Sequence, residues 1–468
     1  MATYPVSAVT ESTGIAGQSR NSFTNRFKLD FMKSWDDHVH TGTVVASHIA
    51  KKKGTMGGFE SIGEVVTSLP QSAGIAKFEG FNLPTPRVGE SINPKLHARD
   101  IYSRLRWTGQ VERAARGGDK YAWKQPRQKD IKDADTQFRL NFARMLYLGP
   151  YQPMATVSSF NDGTNVATLY SRNARRSSSD DLWKFGSHYL RVNMAVDYIL
   201  AQGAAVQLTD TPTVALATTN GAECYITAID NSDLSAPTIT LSGHDEANDP
   251  ADEAIIIPFH SRRGGALNTD LGASDITQYA GVNGLMQIAT DATIYSYLYD
   301  LARSSNPTLN GLRNRDAGGA PRSFQEDLIT LAVDNIADNG TGDEPTMLLC
   351  HRAVRREYLK ENKGDRRFKE IQTEKGFGQL VFHAGDALLP VVTDRDCPPG
   401  VMFVLKESDY GWLSQSELGP IDESSERFVA DVDAREVILH KSGNIVCEAP
   451  FNSGTIEDIA FDVTDVTV

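Results

Sequence analysis

The 468-residue sequence has no P-loop, no G-x-G-x-x-G after a strand pattern, no G-x-S-x-G and no H-E-x-x-H. Phosphate cradles, nucleophile elbows and the two-histidine zinc helix are therefore not expected. Gly376-Phe377-Gly378 carries two glycines of the phosphate-binding pattern without the third and reads as a turn. Cysteine is scarce: Cys224, Cys350, Cys397 and Cys447 stand far apart and make no C-x-x-C, so buried free thiols in a reducing compartment are expected. No window of about 18 apolar residues exists, so no membrane span is indicated. The N-terminus lacks the basic-then-apolar layout of a secretory signal.

Candidate chemistry is thin. Asp36-Asp37-His38-Val39-His40 offers two carboxylates and two imidazoles, but His38 and His40 would not share a helix face and no further Cys/His cluster supports them. An exposed polar turn is the expectation there. Asp394-Arg395-Asp396 reads as a loop of solvated charges. His351, His383 and His440 lack a base or nucleophile at a motif spacing. No catalytic, cofactor-binding or metal-ligating residue is assigned.

What the sequence does hold is an uneven charge pattern. The net charge of −13 argues against a dedicated nucleic-acid binder. Yet residues 95–132 contain eleven Lys or Arg against four Asp or Glu, while 197–300 contain fourteen acidic residues and two basic ones. Two readings stand: the blocks meet across a contact between copies, or they are solvated faces that never meet.

The basic block opens as a strand. Ile101, Leu105 and Trp107 alternate with Tyr102, Arg104, Arg106 and Thr108. It continues as a helix of roughly 20 residues, with Ile131, Ala134, Phe138, Phe142 and Met145 on one stripe, Pro126 in the first turn and Gly149-Pro150 as the stop. A two-stranded ribbon is marginal alone in water, so this cationic one needs a surface. The rest of the chain, a nucleic acid and a neighbouring copy are the three candidates. Few contacts between the loop at 83–115 and its own chain are expected.

The remaining pattern is mixed. About 28 residues at the start, rich in Ser, Thr, Asn and Gly, read as a flexible arm. A polar stretch follows Gly149 to about Asp181, with Arg172, Arg175 and Arg176 beside three serines, and reads as a loop. Residues 190–265 read as a small β module with a turn at Asn220-Gly221. Ile294, Tyr297, Leu298 and Leu301 predict a helix, and Ser323 with Glu326 a capping box before a helix burying Phe324, Leu328, Leu331, Ala332 and Ile336. A buried strand at 347–350, a helix at 352–363 and C-terminal strands complete the chain, with hairpins at Ala384-Gly385 and Ser442-Gly443-Asn444.

The order of these pieces resembles the tailed-bacteriophage major capsid proteins of the HK97-like fold. ARDIYSRLRWTGQVERAAR is similar to the end of that family's extended loop, and QPRQKDIKDADTQFRLNFARMLYLG to its spine helix. GLMQIATDATIYSYLYDLARSSNPTLNG and FHAGDALLPVVTDRDCPPGVMFVL resemble the later core and the return to the peripheral domain. The resemblance implies an α+β fold with N-terminal arm, extended loop, long spine helix, peripheral and axial domains, plus the β module as an insert. The implied segments are 1–55 (arm and first helix), 56–117 (start of the peripheral domain and extended loop) and 118–185 (spine helix and peripheral domain). They continue with 186–265 (β module), 266–400 (axial domain) and 401–468 (closing strands).

It also implies a non-enzymatic, cofactor-free subunit that self-assembles into hexamers and pentamers of an icosahedral head around double-stranded DNA. The implied place is the virion, with assembly in the host cytoplasm, separate scaffolding, portal and decoration partners, and no membrane. On the loop, Arg99, Tyr102, Arg104, Arg106, Trp107, Arg113 and Arg116 are the expected inter-subunit contacts. Some relatives crosslink a loop lysine to a neighbour's Asn. Lys120 is the nearest loop lysine, but no acceptor or acid is identified. An encapsulin-like nanocompartment shell, and a nucleic-acid binder or enzyme using the basic arm, are the alternatives.

Overall fold

The structure is a computed structural model. It describes residues 44–49, 52–56, 58, 60–63, 65–68, 89–108, 120–149, 152–170, 185–199, 224–242, 254–258, 282–292, 295, 297–316, 321–339, 344–361, 381–384, 387–420, 427–428 and 433–461. The chain divides into two compact units. One takes Met1–Gly42, Ile101–Leu140 and Glu417–Lys441; the other takes Thr43–Asp100, Asn141–Ser416 and Ser442–Val468. The arm, the Asp36–His40 cluster, the Asn220-Gly221 turn, the Gly376–Gly378 turn and the serine-flanked arginines at 172–176 all lie outside the described residues.

One sheet is built on a basic strand. Arg99–Thr108 pairs with the 14-residue strand Ala434–Cys447, which also carries Tyr410–Pro420 and Arg427–Phe428. The alternation read from sequence holds: Ile101 and Trp107 are buried, Tyr102 and Arg104 exposed. The expectation of few own-chain contacts fails for this segment. A ten-residue strand carries a row of backbone donors and acceptors that must be paired, and the C-terminal strand pairs with it.

A single helix, Lys120–Leu148, runs through both units. At 29 residues it is about 43 Å long and exceeds the expected length. It starts six residues ahead of Pro126, which therefore lies in its interior and removes one i→i−4 bond. Its end is as expected: Gly149 takes φ +72° and its N–H bonds to the Met145 carbonyl at 3.0 Å. A Cβ on Gly284 would lie 2.2 Å from the Gly149 nitrogen, so the helix end meets residue 284 backbone to backbone.

The second unit contains a closed six-stranded barrel and a six-stranded mixed sheet. The barrel runs Cys224–Asp230, Thr238–Ser242, Val166–Leu169, Ala155–Asn161, Ile255–Pro258, Ala195–Ile199 and back. Its first hairpin, Ala155–Asn161 with Val166–Leu169, occupies the stretch read as a loop and precedes position 186. Outward-facing barrel positions are polar here (Ser159, Asn161), and that polarity hides the strand signal. Inside the barrel Val157, Ala167, Leu169, Ile226 and Ile239 are buried.

The mixed sheet is ordered Leu312–Asn314, Gly454–Ile456, Met402–Leu405, Met347–His351, Ala387–Asp394, Val381–Ala384. Met347–His351 runs parallel to Ala387–Asp394 and antiparallel to Met402–Leu405. All five residues of Met347–His351 are buried, as a central strand requires. Helix Glu326–Asn339 lays Ile329, Ala332, Val333 and Ile336 on Leu348, Val404 and Ile456. Each such side chain contributes about 1.5–3 kcal/mol of burial. Leu331, expected inward, is 51% exposed because Ile329 and Val333 fix the opposite phase. Helix Arg352–Glu361 buries Val354 and Tyr358 as read.

Two local readings are overturned. Tyr297–Leu298 and Leu301–Ala302 form a hairpin, not a helix, because Tyr299 and Asp300 adopt φ 55° and 63°. Ser442-Gly443-Asn444 is not a turn but the middle of Ala434–Cys447. Gly443 is there for closeness: a Cβ would meet the Leu413 carbonyl at 2.5 Å and the Trp412 ring at 2.8 Å.

Candidate inter-subunit surface

The expected contact residues divide sharply. Arg113 and Arg116 lie outside the described residues. Trp107 is buried in its own chain, so it anchors the strand rather than reaching outward. Arg99 and Arg106 are partly buried. Tyr102, at 57% exposure, and Arg104 stand out on the open face of the sheet.

Both are held by the C-terminal strand. Tyr102 stacks on His440, with ring centroids 4.9 Å apart and planes inclined by 29°. Arg104 Nε donates to Glu436 Oε2 at 2.6 Å, and Nη2 of the same guanidinium reaches that oxygen too. The glutamate side chain is nearly buried and the arginine half in solvent. The strand thus satisfies a buried carboxylate of its own unit while presenting an aromatic ring and a cationic edge. Sequence reasoning named Tyr102 and Arg104 as contacts, noted His440 only as a histidine without a base or nucleophile, and did not single out Glu436; both partners lie more than 300 positions away and carry no local signal.

A second polar group lies in the other unit, at the end of the long helix. Tyr147 Oη donates to Asp394 Oδ2 at 2.8 Å, and Asp394 Oδ1 accepts the Asp396 amide at 3.2 Å. Asp394 and Asp396 are buried, which corrects the expectation of solvated charges. The tyrosine hydroxyl and the amide ladder draw the loop inward. Burial raises the Asp394 carboxyl above its ordinary range, partly opposed by the Tyr147 hydrogen bond. Nearby, burial first and Arg191 second lower Arg144 to about 10. His351 Nδ1 accepts the Ala353 amide at 3.2 Å, which places its proton on Nε2.

Nucleophile chemistry is disfavoured in this group. Burial pushes the Cys350 thiol up to about 12 and the Cys397 thiol and Tyr147 hydroxyl far above their usual values. An activated nucleophile needs the reverse shift. All four cysteines are buried and none is in a disulfide. Among the described residues no three His, Cys, Asp or Glu side chains gather as a metal site. No described helix is long and apolar enough to cross a membrane.

No protein-family model and no curated protein matches the sequence. Solved structures do. A chain of the cyanophage A-1(L) capsid asymmetric unit aligns over 92% of this chain and 96% of its own, with TM-score 0.51 and 11% identity. A Mycobacterium phage Bobi chain aligns over 94% and 99% at TM-score 0.41 and 11% identity. A chain from the capsid of an empty GTA particle aligns over 92% and 96% at TM-score 0.39 and 9% identity. The first of these shows a shared fold along nearly the whole length: the chain has the mixed helix-and-strand fold of a phage capsid chain.

Proposed function

We propose that the chain is a major capsid protein that self-assembles into hexamers and pentamers of an icosahedral bacteriophage head enclosing double-stranded DNA. The observation that carries this reading is the end-to-end likeness to the cyanophage A-1(L) capsid chain. In this reading the long helix is the spine. Arg99–Thr108 is the return strand of the extended loop, the six-stranded sheet belongs to the axial domain and the barrel is the insert. The domain boundaries and HK97-like names given from the sequence are part of the proposal.

Tyr102 and Arg104 are the residues of the loop strand that touch the neighbouring subunit. Tyrosine and arginine dominate the energetics of protein interfaces, and a rigid ring on a paired strand loses little entropy on docking. The role is structural rather than catalytic, consistent with thiols and phenols held protonated by burial. The protein belongs to the virion, is assembled in the host cytoplasm and works with separate scaffolding, portal and decoration partners. The DNA it encloses is held without sequence specificity.

The test is expression of the full chain, alone and with its phage partners, followed by sizing and electron microscopy. Closed shells or capsomers are expected for the wild type, and their loss with a folded core for Tyr102→Ala combined with Arg104→Ala. A wild-type chain that stays a monomer under every condition overturns the reading.

A further inference from the structure

The hairpin that replaced an expected helix carries an unusual turn. Tyr299 and Asp300, its two central residues, both sit in the left-handed region, at φ 55° and 63°. A two-residue turn of this kind is normally filled by Asn-Gly or Asp-Gly, because a side chain there crowds its own backbone. Such strain persists only where the surroundings hold it.

What holds it is the strand that leads into the basic ribbon. The Lys95 amide donates to the Tyr299 carbonyl at 3.0 Å. His97 Nε2 lies 2.6 Å from Asp300 Oδ2, each side chain about one-fifth exposed. The Cys447 amide donates to the Tyr299 hydroxyl at 2.7 Å. His97 is fixed in turn from behind: Asn444 Nδ2 donates to its carbonyl at 3.0 Å, while Asn444 Oδ1 accepts the Asn283 and Ile445 amides.

Packing beside the turn is incomplete. A cavity of about 30 Å³, room for a water molecule or two, is lined by residues that include Lys95, His97, Asn283, Gln287 and Asp300. Gln287, 2% exposed, lines this space with its side chain buried. The closed arrangement thus sets a strained backbone against a short histidine–carboxylate contact. Opening would relax that strain.

We propose that the Tyr299–Asp300 turn and His97 form a strained latch that holds the strand Lys95–His97 closed and can release it. The latch does not depend on the shell reading. Exchange at Lys95 reads the one and particle formation reads the other, so either can fail alone.

The test is hydrogen exchange on the full-length chain, read at the Lys95 amide, with the central strand Met347–His351 as the folding control. His97→Leu removes the clamp and leaves the strain, so Lys95 exchange is expected to rise about tenfold with the central strand unchanged. Asp300→Gly removes the clamp and relieves the strain together, because glycine takes positive φ freely. Lys95 protection is then expected to stay within about threefold of wild type. Unchanged exchange in His97→Leu overturns the latch. So does Asp300→Gly exchanging as fast as His97→Leu, which would mark a plain ion-pair contact. If His97→Leu loses the central strand's protection, Asp300→Gly decides alone: retained protection supports the latch and a tenfold loss refutes it.

Discussion

Arg104 and Glu436 meet on the outer face of a sheet with opposite exposures: the guanidinium is half in water and the carboxylate almost wholly out of it. The asymmetry decides what each mutation costs. Arg104→Ala strips a buried carboxylate of its guanidinium and is expected to lower the stability of the unassembled chain by about 1–3 kcal/mol. Glu436→Gln leaves a cation that water can reach and is expected to cost under about 1 kcal/mol. Urea unfolding of both variants checks the order, and equal costs would contradict it.

Arg313 and Glu457 make a fork with two bonds, Nε to Oε1 at 2.8 Å and Nη2 to Oε2 at 2.9 Å, and neither side chain is more than 3% exposed. Glu457→Leu removes both bonds of the fork and leaves the buried guanidinium facing Asp291 Oδ1 at 4.0 Å, and is expected to destabilise by about 3 kcal/mol. The double replacement Arg313→Met with Glu457→Leu is expected to recover most of that loss. Thermal or urea unfolding of the three chains measures it.

The buried thiols give a chemical readout. With the Cys350 thiol raised to about 12 and the Cys397 thiol pushed well above its ordinary value by burial, thiolate is negligible at pH 8. A thiol reagent is expected to label essentially none of the four cysteines in the folded chain and all four in denaturant. Fast labelling of Cys350 or Cys397 in the native state would refute the packing around them.

Asp394 sets a pH dependence of definite sign. Its folded pKa lies above the unfolded value, so the native state binds the extra proton, and stability falls as pH rises from about 3.8 through the raised value. Asp394→Asn removes this term. Its stability relative to wild type is expected to improve across that window and to be flat below it. A relative stability that worsens with pH would show the opposite shift.

The legible parts of the sequence were those with a period. Arg99–Thr108 showed its two faces, and Gly149-Pro150 marked the helix stop. Met347–His351 and Arg352–Glu361 could be read from apolar runs and stripes. The misreadings have one physical root: long-range closeness leaves no local pattern. Gly443 looked like a turn residue, but the Trp412 ring is what excludes a Cβ there. Tyr297, Leu298 and Leu301 have helical spacing, but distant contacts, among them those with Lys95, His97 and Cys447, hold a turn between them. Ser159 and Asn161 lie on the outside of a barrel, where polar residues mimic a loop. On the candidate surface, Tyr102 and Arg104 were visible, while their supports His440 and Glu436 were not.

The central claim is that copies of this chain close a container by docking Tyr102 and Arg104 on a neighbour. Cryo-electron microscopy of purified wild-type particles tests it most directly. The account predicts a closed shell in which both side chains are buried against an adjacent subunit. A monodisperse single chain, or a shell in which that sheet face stays bare, would contradict it.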